Sequence, residues 1–254
     1  MKEIIITQRP EKNKTLILDQ DCLVFEHLQA NLPDKINTEI IVKDNVKVDY
    51  IFILESSEDK ILSENRNLKL GLNSRLHNYY FYLDQSVHIS LNTHIDGQAD
   101  FQHQVLILTQ KKQTVYLQEN HHFLYPKSLG KFQLWAIAKD QSKIHVNANV
   151  NIKKTAKNTE VAHHQQAWLL NKEAKIELIP ALSVEPNEVK ASHSAKVSNL
   201  ACEQLFYLQS RGLDKENIKN LLYQSIFQLI LNQLPSEVQR ENLANILNKY
   251  YVNK

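Results

Sequence analysis

Residues Asn187–Leu213, NEVKASHSAKVSNLACEQLFYLQSRGL, change period half-way along. Up to Val197 the pattern is that of a short strand. From Leu205 it turns helical, with Leu205 and Leu208 at i, i+3 and Gly212 placed as the residue that ends a helix. His193 stands between two serines just ahead of the change. The stretch divides the chain into a strand-built domain over residues 1–198 and a small helical domain over residues 199–254.

Working back from that stretch, residues Val46–Val197 show no sustained 3.6-residue period. Runs such as VDYIFILES, NYYFYLD, VHISLNTHI, FQHQVLILTQ, KFQLWAIAKD and KIHVNANVNI recur instead, about a dozen residues apart. Within Ile144–Ile152 the residues Ile144, Val146, Ala148, Val150 and Ile152 fall on one face and His145, Asn147, Asn149 and Asn151 on the other. Many similar strands without helices mean a sandwich, a barrel or a solenoid. Asn-Gly is absent, and Asp96-Gly97 is the one good two-residue hairpin turn. The other links are polar and poor in glycine, which favours strands stacked in parallel over a meander.

Working forward, Asp214 is placed to cap a helix carrying Ile218, Leu221, Leu222, Ile226, Leu229 and Ile230. Pro235 ends it, and Ser236-Glu237-Val238-Gln239 reads as a capping box for another helix with Leu243, Ile246 and Leu247 as its stripe. Tyr223, Phe227 and Leu231 widen the apolar face of the first beyond what two helices alone would bury.

Composition narrows the function classes. The chain has 254 residues, 43% hydrophobic and 23% charged, with 30 basic against 28 acidic side chains and a net charge of +2. That balance excludes nucleic acid as a main partner. There is no apolar run near 18 residues, so no membrane-spanning helix is expected, and the N-terminus does not read as a secretory signal. A cytoplasmic location follows as the expectation. Neither a GxxxxGK[ST] nor a GxGxxG loop occurs, and with only 4 glycines a glycine-cradled phosphate is not expected. The two cysteines, Cys22 and Cys202, form no Cys-x-x-Cys pair. Asp84, Asp96, Asp100 and Asp140 are scattered near strand ends and suggest no catalytic pairing. The pairs His121–His122 and His163–His164, with His94 and His103, read as ordinary turn or surface histidines, each pair sending one ring to either face.

The decisive stretch resembles the C-terminal signature of the SufB/SufD family of iron–sulfur cluster assembly scaffolds, on its SufD side. That signature reads VKCSHGATVG and then FYLRSRGI. Val189, Lys190, Ser192, His193, Ala195 and Val197 match the first part; Phe206, Tyr207, Leu208, Ser210, Arg211 and Gly212 match the second. A looser likeness runs through AWLLNKEAKIELIP, in Leu169, Leu170, Ala174, Ile176 and Pro180. The family has cysteine where this chain has Ala191, and glycine where it has Ser194. The resemblance implies a right-handed parallel β-helix followed by a C-terminal helical domain, in a short form lacking the family's usual N-terminal helical region. It implies a non-enzymatic scaffold, pairing with SufB through the β-helix end. It also implies docking of the SufC ATPase on the helical region near Phe206, Tyr207, Arg211 and Gly212. His193, with Ser192 and Lys190, would lie at the cluster-assembly interface, His193 as a metal ligand shared with SufB. No cofactor is expected to be bound stably by the chain alone. A cluster would form transiently at the SufB interface, because two cysteines cannot supply four ligands. A homodimer is expected when SufB is absent. The rivals are a secreted carbohydrate-active β-helix, which needs clustered carboxylates the chain lacks, and a purely structural member of the same family.

Overall fold

The computed structural model describes residues 2–6, 12–29, 32–55, 60–199 and 207–250. It divides into two compact units, Met1–Val197 and Ser198–Lys254.

The first unit is a parallel β-solenoid. Its strands are β1 (Lys2–Ile6), β2 (Asn13–Leu18), β3 (Cys22–Gln29), β4 (Lys35–Val42), β5 (Lys47–Glu55), β6 (Leu62–Leu70), β7 (Arg75–Leu83) and β8 (Val87–Ile95). They continue with β9 (Asp100–Thr109), β10 (Thr114–Phe123), β11 (Leu129–Ala138), β12 (Lys143–Ile152), β13 (Thr159–Leu169), β14 (Lys175–Val184) and β15 (Val189–Asn199). Odd-numbered strands form one sheet of eight and even-numbered strands a sheet of seven. The parallel coil expected from the resemblance is therefore present.

The alternation seen in the sequence fixes which side of each coil faces in. In β12, Ile144, Val146, Ala148, Val150 and Ile152 are all buried, stacked in register on β10 and β14. The runs in β5, β7, β9 and β11 are instead apolar on both faces. Ile51, Phe81, Leu106 and Ile137 are buried although they point away from the solenoid axis. Such strands read as continuous hydrophobic runs because neither face meets water.

The scarcity of glycine is explained at the corners. Asn45, Asn73, Gln98, Lys127 and Asn158 all adopt the left-handed backbone, with φ between 55° and 64°. Each turns one coil at the same place. The amide of Asn45 donates to Leu72, that of Asn73 to Gly97, that of Gln98 to Pro126 and that of Lys127 to Lys157, at 2.9–3.0 Å. The coil-to-coil ladder thus runs straight through the turns, and asparagine tolerates a conformation usually left to glycine. No strict repeat is legible because coil length drifts. Stacked side-chain hydrogen bonds join residues 24 apart at Asn13–Asn37, 28 apart at Asn45–Asn73 and 32 apart at His145–Glu177.

Gly130 is different, because it is needed for space. A Cβ there would lie 2.5 Å from Phe123 Cζ and 2.9 Å from Phe132 Cε2, inside the core. Replacing Gly130 with alanine is expected to cost about 1–3 kcal/mol by overpacking and to lower the melting temperature by roughly 2–10 °C. A scanning calorimetry trace superimposable on the parent's would show that the rings have room to move.

The second unit holds a helical turn at 207–210, α1 (Lys215–Leu231) and α2 (Glu237–Asn248). The Asp214 carboxylate accepts the Asn217 amide at 2.7 Å, capping α1 as read. The capping box expected at Ser236 is not made, since the Ser236 side chain forms no cap hydrogen bond. Ile218, Ile226, Phe227 and Ile230 are buried, while Leu221 and Leu229 on the expected stripe stay about half exposed. No helix among the described residues is long and apolar enough to cross a membrane.

Candidate functional site

The site begins from the period of two in β15. Alternate residues of a strand point to opposite faces, so Ala191, His193, Ala195 and Val197 face one way and Lys190, Ser192 and Ser194 the other. Ala191 packs against the solenoid core, which identifies the first set as the inner face. His193 is therefore an inward-facing residue on the last strand of its sheet; it is exposed, and no strand follows β15 in that sheet among the described residues.

Ser192 and Lys190 do not share that face. Both line an outer groove of about 530 Å³ with Asp100, Gly130, Lys131 and Glu160. Lys190 Nζ pairs with Glu160 at 2.7 Å, which holds the ammonium above its ordinary range. Ser194 bonds His164 Nδ1 at 2.8 Å, so the serine beside His193 is engaged on the outer face too. The three residues expected at one interface are thus neighbours in sequence that the pleat parts.

The same two contacts set the register of the last coil. Lys190 meets Glu160 and Ser194 meets His164, each pair 30 residues apart. His163 is then the strand neighbour of His193 on the inner face. Continuing inward, His163 sits on Phe132, Phe132 on His103 and His103 on Asn78.

This ladder leads to a buried polar layer that sequence reasoning missed. His103 Nε2 lies 2.9 Å from Glu119 Oε1, and His121 Nε2 lies 3.6 Å from Glu119 Oε2. His121 Nδ1 bonds Thr93 at 3.2 Å, and its ring stacks on Phe132 with centroids 4.4 Å apart. His163 Nε2 is 3.1 Å from the Gln165 amide nitrogen. Burial alone would raise the Glu119 carboxyl; the imidazole of His103, then that of His121, overrides it and holds the group well below the usual carboxylate range. Burial pushes His121 down, partly offset by Glu119. Burial takes His163 down to about 4, and the neighbouring imidazoles, His193 among them, add to the depression. Both were expected as turn or surface histidines, yet His121 and His163 are 0% and 2% exposed. Each stands inside apolar alternation, and that was the available signal.

A second polar group lies further toward the N-terminus. The Arg66 guanidinium binds Glu64, meets Glu26 at 3.0 Å and Tyr50 at 3.3 Å, and lies 3.6 Å above the Phe52 ring. Among the described residues no cluster of three or more His, Cys, Asp or Glu side chains is arranged to hold a metal ion.

In the helical unit, Tyr207 is exposed and its ring carries the Arg211 guanidinium at 5.4 Å. Gly212 has φ of +89°, and the Leu213 amide closes onto the Leu208 carbonyl at 3.2 Å. The glycine is required there because an L side chain is strained at that φ. Phe206 and Cys202 lie outside the described residues.

A two-sheet parallel coil whose last strand carries an exposed inward histidine, followed in the chain by helices, defines a parallel β-solenoid protein. Residues 6–226 match the family described as "SUF system FeS cluster assembly, SufBD core domain", and the chain belongs to that family. Among its relatives, the iron–sulfur cluster assembly SufBD family protein of Pyrococcus horikoshii is 24% identical over 250 residues, covering 91% of this chain and 52% of its own. The iron–sulfur cluster assembly protein SufD of Plasmodium berghei is 27% identical over 84% of this chain and 16% of its own. That of Escherichia coli is 26% identical over 52% of this chain and 30% of its own. The chain therefore matches at most about half the length of these relatives.

Proposed function

We propose that the chain is a non-catalytic scaffold of the SufD kind, working in the cytoplasm within a complex of SufB-type and SufC-type proteins that builds iron–sulfur clusters. Family membership is the observation that carries this reading, and the exposed last coil supports it. Strands β14 and β15 end their sheets. Ile179, Val184 and Val197 on them are more than two-fifths exposed. Open strand edges with apolar side chains are templates for another chain's strands. In this reading a SufB-type partner pairs there and shares the site at His193, supplying sulfur ligands because two cysteines are too few for a cluster. Iron and sulfide are cargo at that interface, and His193 offers an imidazole that can complement thiolates. The helical unit, entered through Tyr207, Arg211 and Gly212, holds a SufC-type ATPase through its exposed Leu221 and Leu229. A homodimer through the same strand edges forms when no SufB-type chain is present.

Co-expression with the SufB and SufC proteins of the same source organism tests this. The expected outcome is one complex containing all three, with a mass that accounts for each. A chain that purifies alone, in the presence of both, overturns the reading.

A further inference from the structure

Resting on that reading, we propose that His163 is a second imidazole ligand of the site at His193, so that this chain alone offers a two-histidine grip on a borderline divalent metal ion such as Fe2+.

The argument starts from register. His163 and His193 are neighbours on adjacent parallel strands, on the same inner face, as the Lys190–Glu160 and Ser194–His164 contacts on either side require. Adjacent strands lie about 4.8 Å apart. Two imidazoles on such neighbours can bring one nitrogen each to a single ion, since metal–nitrogen bonds are about 2.0–2.1 Å. Within the strand ladder this pair stands outermost. Phe132 stands between His163 and His103, so His163 is the last imidazole before the open coil.

A second observation points to a ligand. His163 is 2% exposed, and its Nδ1 has no hydrogen-bond partner among the described residues. Buried polar atoms left alone are uncommon and call for a partner. Gln165 shows how that nitrogen is made ready. Its amide lies against Nε2 of the ring, and its Oε1 is also without a partner. Oxygen and nitrogen of an amide exchange places by a half-turn of the side-chain end. With Oε1 toward the ring, Nε2–H donates to Gln165 and the Nδ1 lone pair is free. That arrangement, in which the non-coordinating ring N–H is held by a carbonyl, is the usual support of a metal-bound histidine. The half-turn gives Gln165 Oε1 the ring N–H as its donor, and an ion at the site gives His163 Nδ1 its partner, while the amide nitrogen takes the position Oε1 had held. Imidazole nitrogens suit Fe2+, Co2+ and Zn2+ alike, and the remaining positions are left to water or to a partner's ligands.

The test uses the whole purified chain, stripped of metal, with Co2+ as an air-stable probe followed by calorimetry and visible absorption. The parent is expected to bind one Co2+ at its tightest site. His193→Ala and His163→Gln should each weaken that site at least ten-fold, and the double variant little more than either alone. A control at the outer stacked pair, His94→Ala with His122→Ala, should leave it unchanged. In the parent, sub-stoichiometric Co2+ should broaden the ring resonances of His163 and His193 together; this holds even if His163→Gln folds poorly. A parent without a Co2+ site, a folded His163→Gln that binds as the parent does, or broadening of His193 alone overturns the proposal. No partner protein enters the measurement. Loss of the three-protein complex with Co2+ binding intact removes the scaffold reading, and the converse removes only His163.

Discussion

Replacing Arg66 with methionine is expected to destabilise the solenoid by about 3–5 kcal/mol, because it leaves two carboxylates in the core with no guanidinium between them. Glu26 and Glu64 are 2% and 0% exposed, and Arg66 touches both. Burial alone would raise Glu26, but the Arg66 charge, helped by Tyr50 and Lys14, holds it below its ordinary value. Burial raises Glu64 in spite of the same guanidinium. One cation therefore serves two buried acids, with Lys14 at 3.7 Å from Glu26 as the only other cation contact of the cluster among the described residues. The methionine variant keeps the volume over Phe52 and removes the charge, so packing loss is small and the unpaired carboxylates dominate. Urea unfolding should show the midpoint falling with the slope unchanged. Adding Glu26→Gln and Glu64→Gln to Arg66→Met should recover most of the loss, since an ion cluster removed whole often costs little. A single variant within 1 kcal/mol of the parent would mean that water already reaches these acids.

The cluster also shows where sequence reading stops. The strands of the solenoid are legible because burial imposes alternation in β12 and β8 and continuous apolar runs in β5 and β9. The two-sheet pairing is not, since each strand bonds the second one along the chain and the spacing drifts with the corners. Glu26 in CLVFEHLQ and Arg66 in LSENRNLKL look like solvated charges until the coil closes. Each side chain falls at an inward position and finds its partner from another coil, 40 residues away for Glu26 and Arg66. His193 was found through its flanking motif, whereas His163 needed the register of the last coil. Ser192 and Lys190 carried the same motif and yet stand on the outer face, because a motif is linear and a strand is pleated.

The interior histidines should make the protein acid-labile before its carboxylates titrate. His163 has its folded value depressed from 6.5 to about 4, first by burial. A depressed group contributes stability that is present above its unfolded value and is lost as pH falls toward the folded one. For His163 the window runs from about pH 6.5 down to about 4, worth about 3 kcal/mol in full and about 2 kcal/mol between pH 7 and 5. His121, also lowered by burial, acts in the same direction. Glu119, held down by His103, adds its own loss only below the usual glutamate range. His77 opposes them: although burial lowers it, Asp100 and Asp49 raise it, so its contribution is present in acid and lost as pH rises through its raised value. The separation is made by His163→Gln, which cannot take up the proton. Its unfolding free energy should fall less steeply between pH 7 and 5 than the parent's, by about 2 kcal/mol, while below pH 4 the two profiles run parallel under Glu119. Parallel profiles across the upper window would place the acid lability elsewhere, with His121 the next residue to replace.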